Sequence, residues 1–143
     1  MKKINQLATE IFSQILEKMG TQTHFKFYSP GCPTLTVEKL YRIVTELGEG
    51  TLYSLCHYGK LNGDPMREPE MCFLVIDSRI EPTDYKNLHV CPQMFHSDSY
   101  GIYEESIEIE NSAIICFWPL CQQKHCLFAN HWLLLIREHG YLK

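Results

Sequence analysis

Apolar residues recur every three or four positions through the first nineteen residues of the chain. They are Ile4, Leu7, Ala8, Ile11, Phe12, Ile15, Leu16 and Met19. This spacing places them on one side of an α-helix, with Glu10 and Glu17 on the other side. Gly20 follows, and glycine commonly ends a helix in a left-handed conformation. The pattern predicts an amphipathic helix over residues 1–20, whose apolar stripe packs either on its own domain or on a partner.

Residues 34–45 fit two patterns. A helix would align Val37, Leu40 and Val44, whereas a strand would align Leu35, Val37 and Ile43. The content of threonine and β-branched residues favours the strand.

Five later segments carry β-strand patterns, at 52–58, 71–77, 88–95, 102–109 and 113–118. The segment 71–77 is apolar on both faces, which predicts a central position in a sheet. Pro92 interrupts the segment 88–95, which indicates an edge strand. Between the first two strands, Asn62-Gly63-Asp64-Pro65 predicts a turn.

The last part of the chain predicts a second helix. Pro119 suits a first helical position, and Phe128, Trp132 and Leu135 form a helical face that ends before Gly140. We therefore expect one α+β domain over 1–143, with a helix at 1–20, a sheet within 34–118 and a helix at 119–139. The expected architecture is two-layer, with a mostly antiparallel sheet of four to six strands flanked by the two helices.

Composition narrows the class of protein. The 143 residues are 45% hydrophobic and carry a formal net charge of -4, typical of a globular protein without the basic surplus of a nucleic-acid binder. The seven cysteines cannot all pair within one chain, and most lie in apolar runs, which indicates a reduced, intracellular protein. The apolar runs are too short to cross a membrane. We expect a soluble, cytoplasmic protein with no membrane partner, and nucleic acid is an unlikely partner.

Five polar residues form the candidate catalytic cluster: His57, Asp64, Glu70, Asp98 and Glu105. If residues 58–70 form one hairpin, the first three lie at the same end of the sheet, and Asp98 opens a later strand with His96 close by. Glu105 falls on the apolar side of its strand, where a carboxylate must be paired, hydrogen-bonded or protonated. A histidine among carboxylates can transfer protons or help to hold a divalent cation. Alternatively, His57 is a core histidine, Asp64 caps the turn before Pro65, and Glu70 or Glu105 pairs with Arg67 or Arg79.

Cysteine and histidine also suggest a zinc alternative. Cys121 and His125 are four residues apart and would share a helical face, with Cys126 adjacent, and His89-x-Cys91 offers two more ligands. The chain has no Cys-x-x-Cys pair, however, so we predict neither a metal nor a cofactor. Cys56 and His57 are neighbours on a strand and point to opposite faces, which disfavours a thiol nucleophile.

Three blocks of the sequence resemble the signature of an uncharacterised bacterial domain family whose members occur on phage, plasmid and conjugative-element DNA. The blocks are His57-Tyr58…Asn62-Gly63-Asp64…Pro69-Glu70-Met71, Asp98-x-x-Gly101-Ile102-Tyr103-x-Glu105 and Phe128-Ala129-Asn130-x-Trp132-Leu133. Gly59-Lys60-Leu61, Glu68 and Ser97 depart from the pattern. The resemblance implies a mobile-element setting in a bacterial cytoplasm and brings no activity with it.

The sequence favours a non-enzymatic protein-interaction or accessory module of a mobile genetic element, with an unidentified protein partner. This hypothesis predicts an exposed apolar patch and no deep polar cleft. A hydrolase-like enzyme or divalent-metal site built on His57 and the acidic residues is the alternative, and nucleic-acid binding is the second alternative. The oligomeric state is left open.

Overall fold

The computed structural model describes residues 1–60 and 62–143 in full, together with the backbone of Leu61. Two helices enclose a run of eight strands in the chain, as the α+β prediction requires. In order, the elements are α1 Gln6–Met19, β1 His24–Phe27, β2 Thr34–Thr45, β3 Gly48–Leu61, β4 Asp64–Asp77, a 3₁₀ turn Tyr85–Asn87, β5 Leu88–Ser97, β6 Ile102–Glu105, β7 Ile107–Glu110, β8 Ala113–Phe117 and α2 Pro119–Glu138. The strand pattern at 34–45 is confirmed.

The predicted strand count of four to six is wrong for two local reasons. β1 has only four residues and pairs with β2, which is too short a stretch for alternation to reveal. The segment 102–109 is two strands because the chain turns at Ser106, which is fully buried. The Ser106 N–H donates to the Gln93 carbonyl across 2.8 Å, and its hydroxyl donates to the Pro92 carbonyl across 3.0 Å.

The strands form one sheet in the order β6-β5-β4-β3-β2-β8-β7, with β1 paired to β2 off this path. All adjacent pairs are antiparallel except β2 and β8, which meet in parallel at Val44 and Ala113. The two outermost strands of this order, β6 and β7, are separated in the chain by Ser106 alone. The sheet must therefore curl strongly.

Both helices pack on one face of the sheet. Ile11, Phe12 and Ile15 of α1 are buried with Phe73 of β4, and the rings of Phe12 and Phe73 meet edge to face at 5.1 Å. The Asn5 side chain accepts the Ala8 N–H at the start of α1, and Gly20 ends the helix with φ 61°. The stripe of α1 thus covers its own sheet.

The opposite face is divided between an apolar half and a polar half. Buried side chains from β2, β3, β4, β5 and β7 form a second core, covered in part by Ile109 and Ile114 of the β7–β8 hairpin. This core includes Leu52, Cys72 and Met94. The same face continues past it into polar residues, which form the candidate site.

The central position predicted for 71–77 is confirmed, and the edge position predicted for 88–95 is correct only in part. Among the described residues, 88–93 pair with a strand on one side only, whereas Met94 and Phe95 pair on both sides. β5 pairs with β4 on one side, and its residues from Met94 to Ser97 pair with β6 on the other. Pro92 is accommodated by a register shift, in which Cys72 pairs with Met94 while Phe73 pairs with Pro92. The predicted turn after β3 is confirmed, since Asn62 and Gly63 both have positive φ. Neither helix of the described chain is both long and apolar enough to span a membrane.

Candidate functional site

A row of polar residues crosses three neighbouring strands. Glu70 of β4 lies opposite His96 of β5, and His96 lies opposite Tyr103 of β6. Directly paired residues share a face of the sheet, so these side chains lie together. Cys72, two residues from Glu70 on the same face, belongs to the second core. The row therefore borders that core on the face away from the helices.

His96 lies between two carboxylates. Its Nε2 is 3.1 Å from Oδ1 of Asp98, and its Nδ1 is 4.0 Å from Oε1 of Glu70. The three side chains are each about a fifth exposed, at 18% for His96 and Glu70 and 21% for Asp98. The Ser54 hydroxyl donates to Oε2 of Glu70 across 2.6 Å, which orients that carboxylate.

Arg67 completes this group, and we call Arg67, Glu70, His96 and Asp98 the polar cluster. Its backbone N–H and its Nε donate to Oδ2 of Asp98 across 2.8 and 3.2 Å. Its Nη1 is 3.9 Å from Oε1 of Glu70. The Arg67 backbone N–H, aided by its guanidinium, holds the pKa of Asp98 below its ordinary value. The carboxylate beside His96 is therefore ionised at neutral pH.

Tyr103 and Glu105 extend the polar cluster along β6. The Tyr103 ring meets the His96 ring edge to face at 5.2 Å, and its hydroxyl donates to Oε1 of Glu105 across 2.7 Å. That hydrogen bond, followed by burial, raises the pKa of Tyr103 to about 12. Glu105 shares the face of Tyr103 as predicted, but its side chain is exposed. The prediction that Glu105 lies on an apolar surface is wrong, because β6 is the outermost strand of the sheet and Glu105 is exposed to solvent there.

His57 lies on the helix-covered side of the sheet, away from the polar cluster. Its Nδ1 accepts the Trp132 indole N–H across 3.0 Å, and its ring packs against the rings of Trp132 and Tyr141. Burial, followed by the charge of His139, lowers the pKa of His57 to about 4. The structure thus favours the alternative that His57 is a core histidine. On adjacent strands, Cys56 and not His57 faces Glu70.

Asp64 is also remote from the polar cluster. It is exposed at the tip of the β3–β4 hairpin, where it pairs with Leu61. The predicted strand 52–58 continues to Leu61, so the tip projects beyond the sheet. Glu70 is six positions along the strand from Asp64, which corresponds to about 20 Å of extended chain. Of the five predicted residues, the structure brings together Glu70, Asp98 and Glu105.

The polar cluster is equipped for proton transfer by His96 and poorly equipped for thiol chemistry. Cys56 and Cys72 lie on the same face, but burial raises the pKa of each thiol to about 12, so neither forms a thiolate at neutral pH. His96 was recognised from the sequence as a neighbour of Asp98, but it was not among the five predicted site residues. Its pairing with Glu70 depends on the β4–β5 register, which the chain does not reveal locally.

A second group of chemically active side chains lies between β6 and α2. Glu104, Cys121 and His125 each offer one ligand atom, and these atoms all lie within 4.8 Å of one another. The predicted pairing of Cys121 and His125 on one helical face is therefore present. Cys91, Cys126 and His89 lie outside this group, whereas Glu104 was missed because only tertiary packing brings β6 to α2.

An apolar surface adjoins β8 and the turn after β2. Val44, Leu47, Ile114 and Phe117 line an open pocket of about 560 Å³, together with Met1. Val44 is 71% exposed, Leu47 57% and Phe117 43%. We call these residues the apolar patch. Such a grouping of exposed large apolar side chains is typical of a binding surface.

Comparison with known proteins gives a family and no activity. Residues 10–142 match the family described as a domain of unknown function, DUF6908. The chain belongs to this family. Comparison of the chain with the curated proteins and with the solved structures found no match.

Proposed function

We propose that this chain is a non-enzymatic protein-interaction module that binds an extended apolar segment of a partner protein at the apolar patch. The observation that carries the proposal is the exposure of Val44, Leu47 and Phe117 around one open pocket. Burying such side chains against a partner removes them from water. This burial contributes a favourable free energy of about 25 cal/mol for each Å² of apolar surface.

The strand edge beside the patch supports an extended partner. β8 pairs with β7 along its length, but with β2 only through Ala113 and Val44. Among the residues that the structure describes, the rest of that β8 edge has no strand partner. A peptide strand can add to such an edge through main-chain hydrogen bonds, while its alternate side chains enter the adjoining pocket.

The charges near the patch indicate which apolar segment fits. Glu46 lines the pocket, and Glu110, opposite Ala113 on β7, is exposed nearby. The adjacent Arg42 is paired with Glu49 at 3.2 Å. We therefore specify the partner as an apolar segment flanked by lysine or arginine.

The setting that we propose is the cytoplasm of a bacterium carrying a mobile genetic element. The support for it is the resemblance of the three sequence blocks to a family found on such elements. A role in maintenance of the element or in conflict with its host places the partner among element-encoded or host proteins.

Nucleic-acid binding receives less support than protein binding. Three of the four arginines, Arg42, Arg67 and Arg79, pair with carboxylates. Phosphate binding requires cations that are free to replace counterions. The net charge of -4 adds to this argument.

Photocrosslinking tests the proposed interface. A photoreactive phenylalanine analogue is placed at Leu47 in the patch and, as a matched control, at Ile80, which is 92% exposed on another surface. After irradiation in host cells, we expect Leu47 to yield a partner that Ile80 does not. The crosslinked segment should be apolar with flanking basic residues, and a synthetic peptide of that segment should bind the purified chain.

A substitution in the patch makes the test specific. Phe117→Glu should weaken binding of the peptide about tenfold or more, because a charge replaces a desolvated ring, and Ile80→Glu should leave it unchanged. Thermal unfolding verifies that both variants fold, and Leu47→Glu serves if Phe117→Glu does not. Equal crosslinking at both positions, affinity unaffected by either patch variant, or crosslinks only to a second copy of this chain would overturn the proposal.

Acid–base catalysis at the polar cluster is the second candidate function. The specific observation in its favour is the placement of His96 between Asp98 and Glu70, as in sites where a carboxylate orients a histidine. Hydrolysis of a panel of ester and phosphodiester substrates tests it, with His96→Asn expected to abolish the activity and His131→Asn, at an exposed histidine, expected to retain it. Turnover that persists in His96→Asn would contradict this candidate.

A further inference from the structure

We propose that Glu104, Cys121 and His125 form a zinc-binding site that joins β6 to α2. The proposal is independent of the protein-interaction function, since it concerns different residues. It assigns a ligand class, a divalent ion of zinc type, to a group that combines carboxylate, thiol and imidazole donors.

The two distances that involve the His125 nitrogen match edges of a zinc coordination tetrahedron, and the Cys121 sulfur lies within 4.8 Å of a Glu104 carboxylate oxygen. Sγ of Cys121 is 3.6 Å from Nε2 of His125, and Oε1 of Glu104 is 3.2 Å from the same nitrogen. Ordinary zinc bond lengths in a tetrahedron put sulfur and nitrogen about 3.5 Å apart, and oxygen and nitrogen about 3.4 Å apart. Small side-chain adjustments would therefore place all three donors at bonding distance from one ion.

His125 is buried and oriented toward the group. Its side chain is 2% exposed, and its ring stacks on Phe95 at 5.8 Å. Within the described part of the chain, Nδ1 has no hydrogen-bond partner, so the ring's polar contacts are made through Nε2. A buried imidazole that directs one nitrogen at a thiol and a carboxylate is a preorganised ligand.

Hydrogen bonds alone cannot satisfy all three side chains of the group. Nε2 carries at most one hydrogen, so it cannot donate well to both Cys121 and Glu104. A metal ion engages the nitrogen, the sulfur and the oxygen together. On binding, the Cys121 thiol releases its proton to solvent, and metal bonds form to sulfur, nitrogen and carboxylate oxygen with no change of oxidation state.

Lys124 supports the proposed site from outside it. Its Nζ is 2.8 Å from Oε2 of Glu104, the oxygen that does not contact His125. This ion pair holds the carboxylate with Oε1 toward the group, as outer partners orient metal ligands in proteins. Thiolate and carboxylate together balance the charge of a divalent ion. Three protein ligands leave a fourth position for water or an exogenous group.

Cobalt titration tests the site, because Co²⁺ substitutes for Zn²⁺ and reports its ligands. The reduced chain is freed of metals with a chelator and titrated with Co²⁺. We expect one equivalent to produce a thiolate-to-cobalt charge-transfer band and the intense visible bands of tetrahedral cobalt. One equivalent of Zn²⁺ should then displace the cobalt and raise the melting temperature of the chain.

Matched variants locate the ligands. Cys121→Ser should abolish the charge-transfer band, and Glu104→Gln should weaken cobalt binding at least tenfold. Cys116→Ser, which changes another partly buried cysteine, should leave both unchanged. Circular dichroism confirms folding, and Glu104→Gln decides the matter if Cys121→Ser does not fold. A wild-type chain without the charge-transfer band, or equal loss in Cys116→Ser, would overturn the proposal.

Discussion

The Trp132 indole N–H donates to Nδ1 of His57 across 3.0 Å, linking α2 to β3 through the core beneath the helices. Because Nδ1 accepts, the hydrogen of the neutral ring resides on Nε2. Nε2 is buried and has no hydrogen-bond partner among the described residues. This relationship explains why the histidine that the sequence marks most strongly is a packing residue.

Removing the His57 ring should destabilise the fold. We expect His57→Ala to lower the free energy of unfolding by about 2–3 kcal/mol, since it leaves a cavity beside Trp132 and Tyr141 and deprives the indole N–H of its acceptor. Urea denaturation measures the effect. His131→Ala, at an exposed histidine of α2, should change stability by less than about 0.5 kcal/mol. Equal effects of the two substitutions would contradict the core assignment.

The lowered pKa of His57 makes a pH-dependent contribution to stability. The folded-state pKa is about 4, against an ordinary 6.5. As the pH falls below 6.5, His57 becomes protonated in the unfolded chain but stays neutral in the folded chain. The free energy of unfolding therefore declines until about pH 4. The slope from this group approaches about 1.4 kcal/mol for each pH unit, reduced by partial solvent exposure.

Comparison with His57→Phe isolates that contribution. Stability of the wild-type chain between pH 7 and pH 4.5 should fall more steeply than stability of the variant. In an NMR titration, the His57 ring should remain neutral at pH 5 in the folded chain, whereas the same ring in the urea-unfolded chain serves as the reference. A His57 ring that titrates in the folded chain as it does in the unfolded chain would show that burial does not control its charge.

Gly50 should tolerate no side chain, for a steric reason. A Cβ at this position would lie 2.8 Å from Cδ1 of Leu74, 3.2 Å from Cγ1 of Ile76 and 3.3 Å from the Val75 carbonyl oxygen. We expect Gly50→Ala to cost about 1–3 kcal/mol through overpacking of the second core. A Cβ added at Gly59, on the same strand, would meet nothing within 4 Å, so Gly59→Ala should be neutral or slightly stabilising. Thermal unfolding of the pair would refute the steric reason if both variants lost equal stability.

Replacing Arg79 by lysine should lower the stability of the fold, because the planar guanidinium makes four hydrogen bonds that an ammonium group cannot all reproduce. Its guanidinium donates to both carboxylate oxygens of Asp77, to the Ser13 hydroxyl of α1 and to the Pro82 carbonyl. We expect Arg79→Lys to cost about 1–2 kcal/mol and to speed hydrogen exchange across residues 78–87.

Arg42 supplies the control for Arg79. It pairs with Glu49 on the surface, where its side chain is 76% exposed. Exposed ion pairs contribute little, so Arg42→Lys should change stability by less than about 0.5 kcal/mol. Comparable losses in the two variants would argue that the fork of Arg79 has no special role.

Much of the secondary structure was predictable because its signals are local. The apolar repeat of residues 4–19 predicted α1, and the alternation or continuous apolar character of the later segments predicted most of the strands. The positive φ of Asn62 and Gly63 accounts for the turn that their residue types predicted. The break at Ser106 was not predictable, since it depends on bonds to Pro92 and Gln93 of another strand.

The amino-acid sequence by itself determined the α+β class, the two terminal helices and the residue types available for chemistry. Tertiary structure alone decided which of those residues meet. His57 pointed to the helices and Glu70 away from them because the β3–β4 register sets the face of each side chain. Glu104 met Cys121 and His125 only because α2 packs beside β6. Periodicity depends only on residues that are close in the sequence. Strand register and helix docking depend on contacts between distant residues, and they are set by the free energy of the whole packed chain.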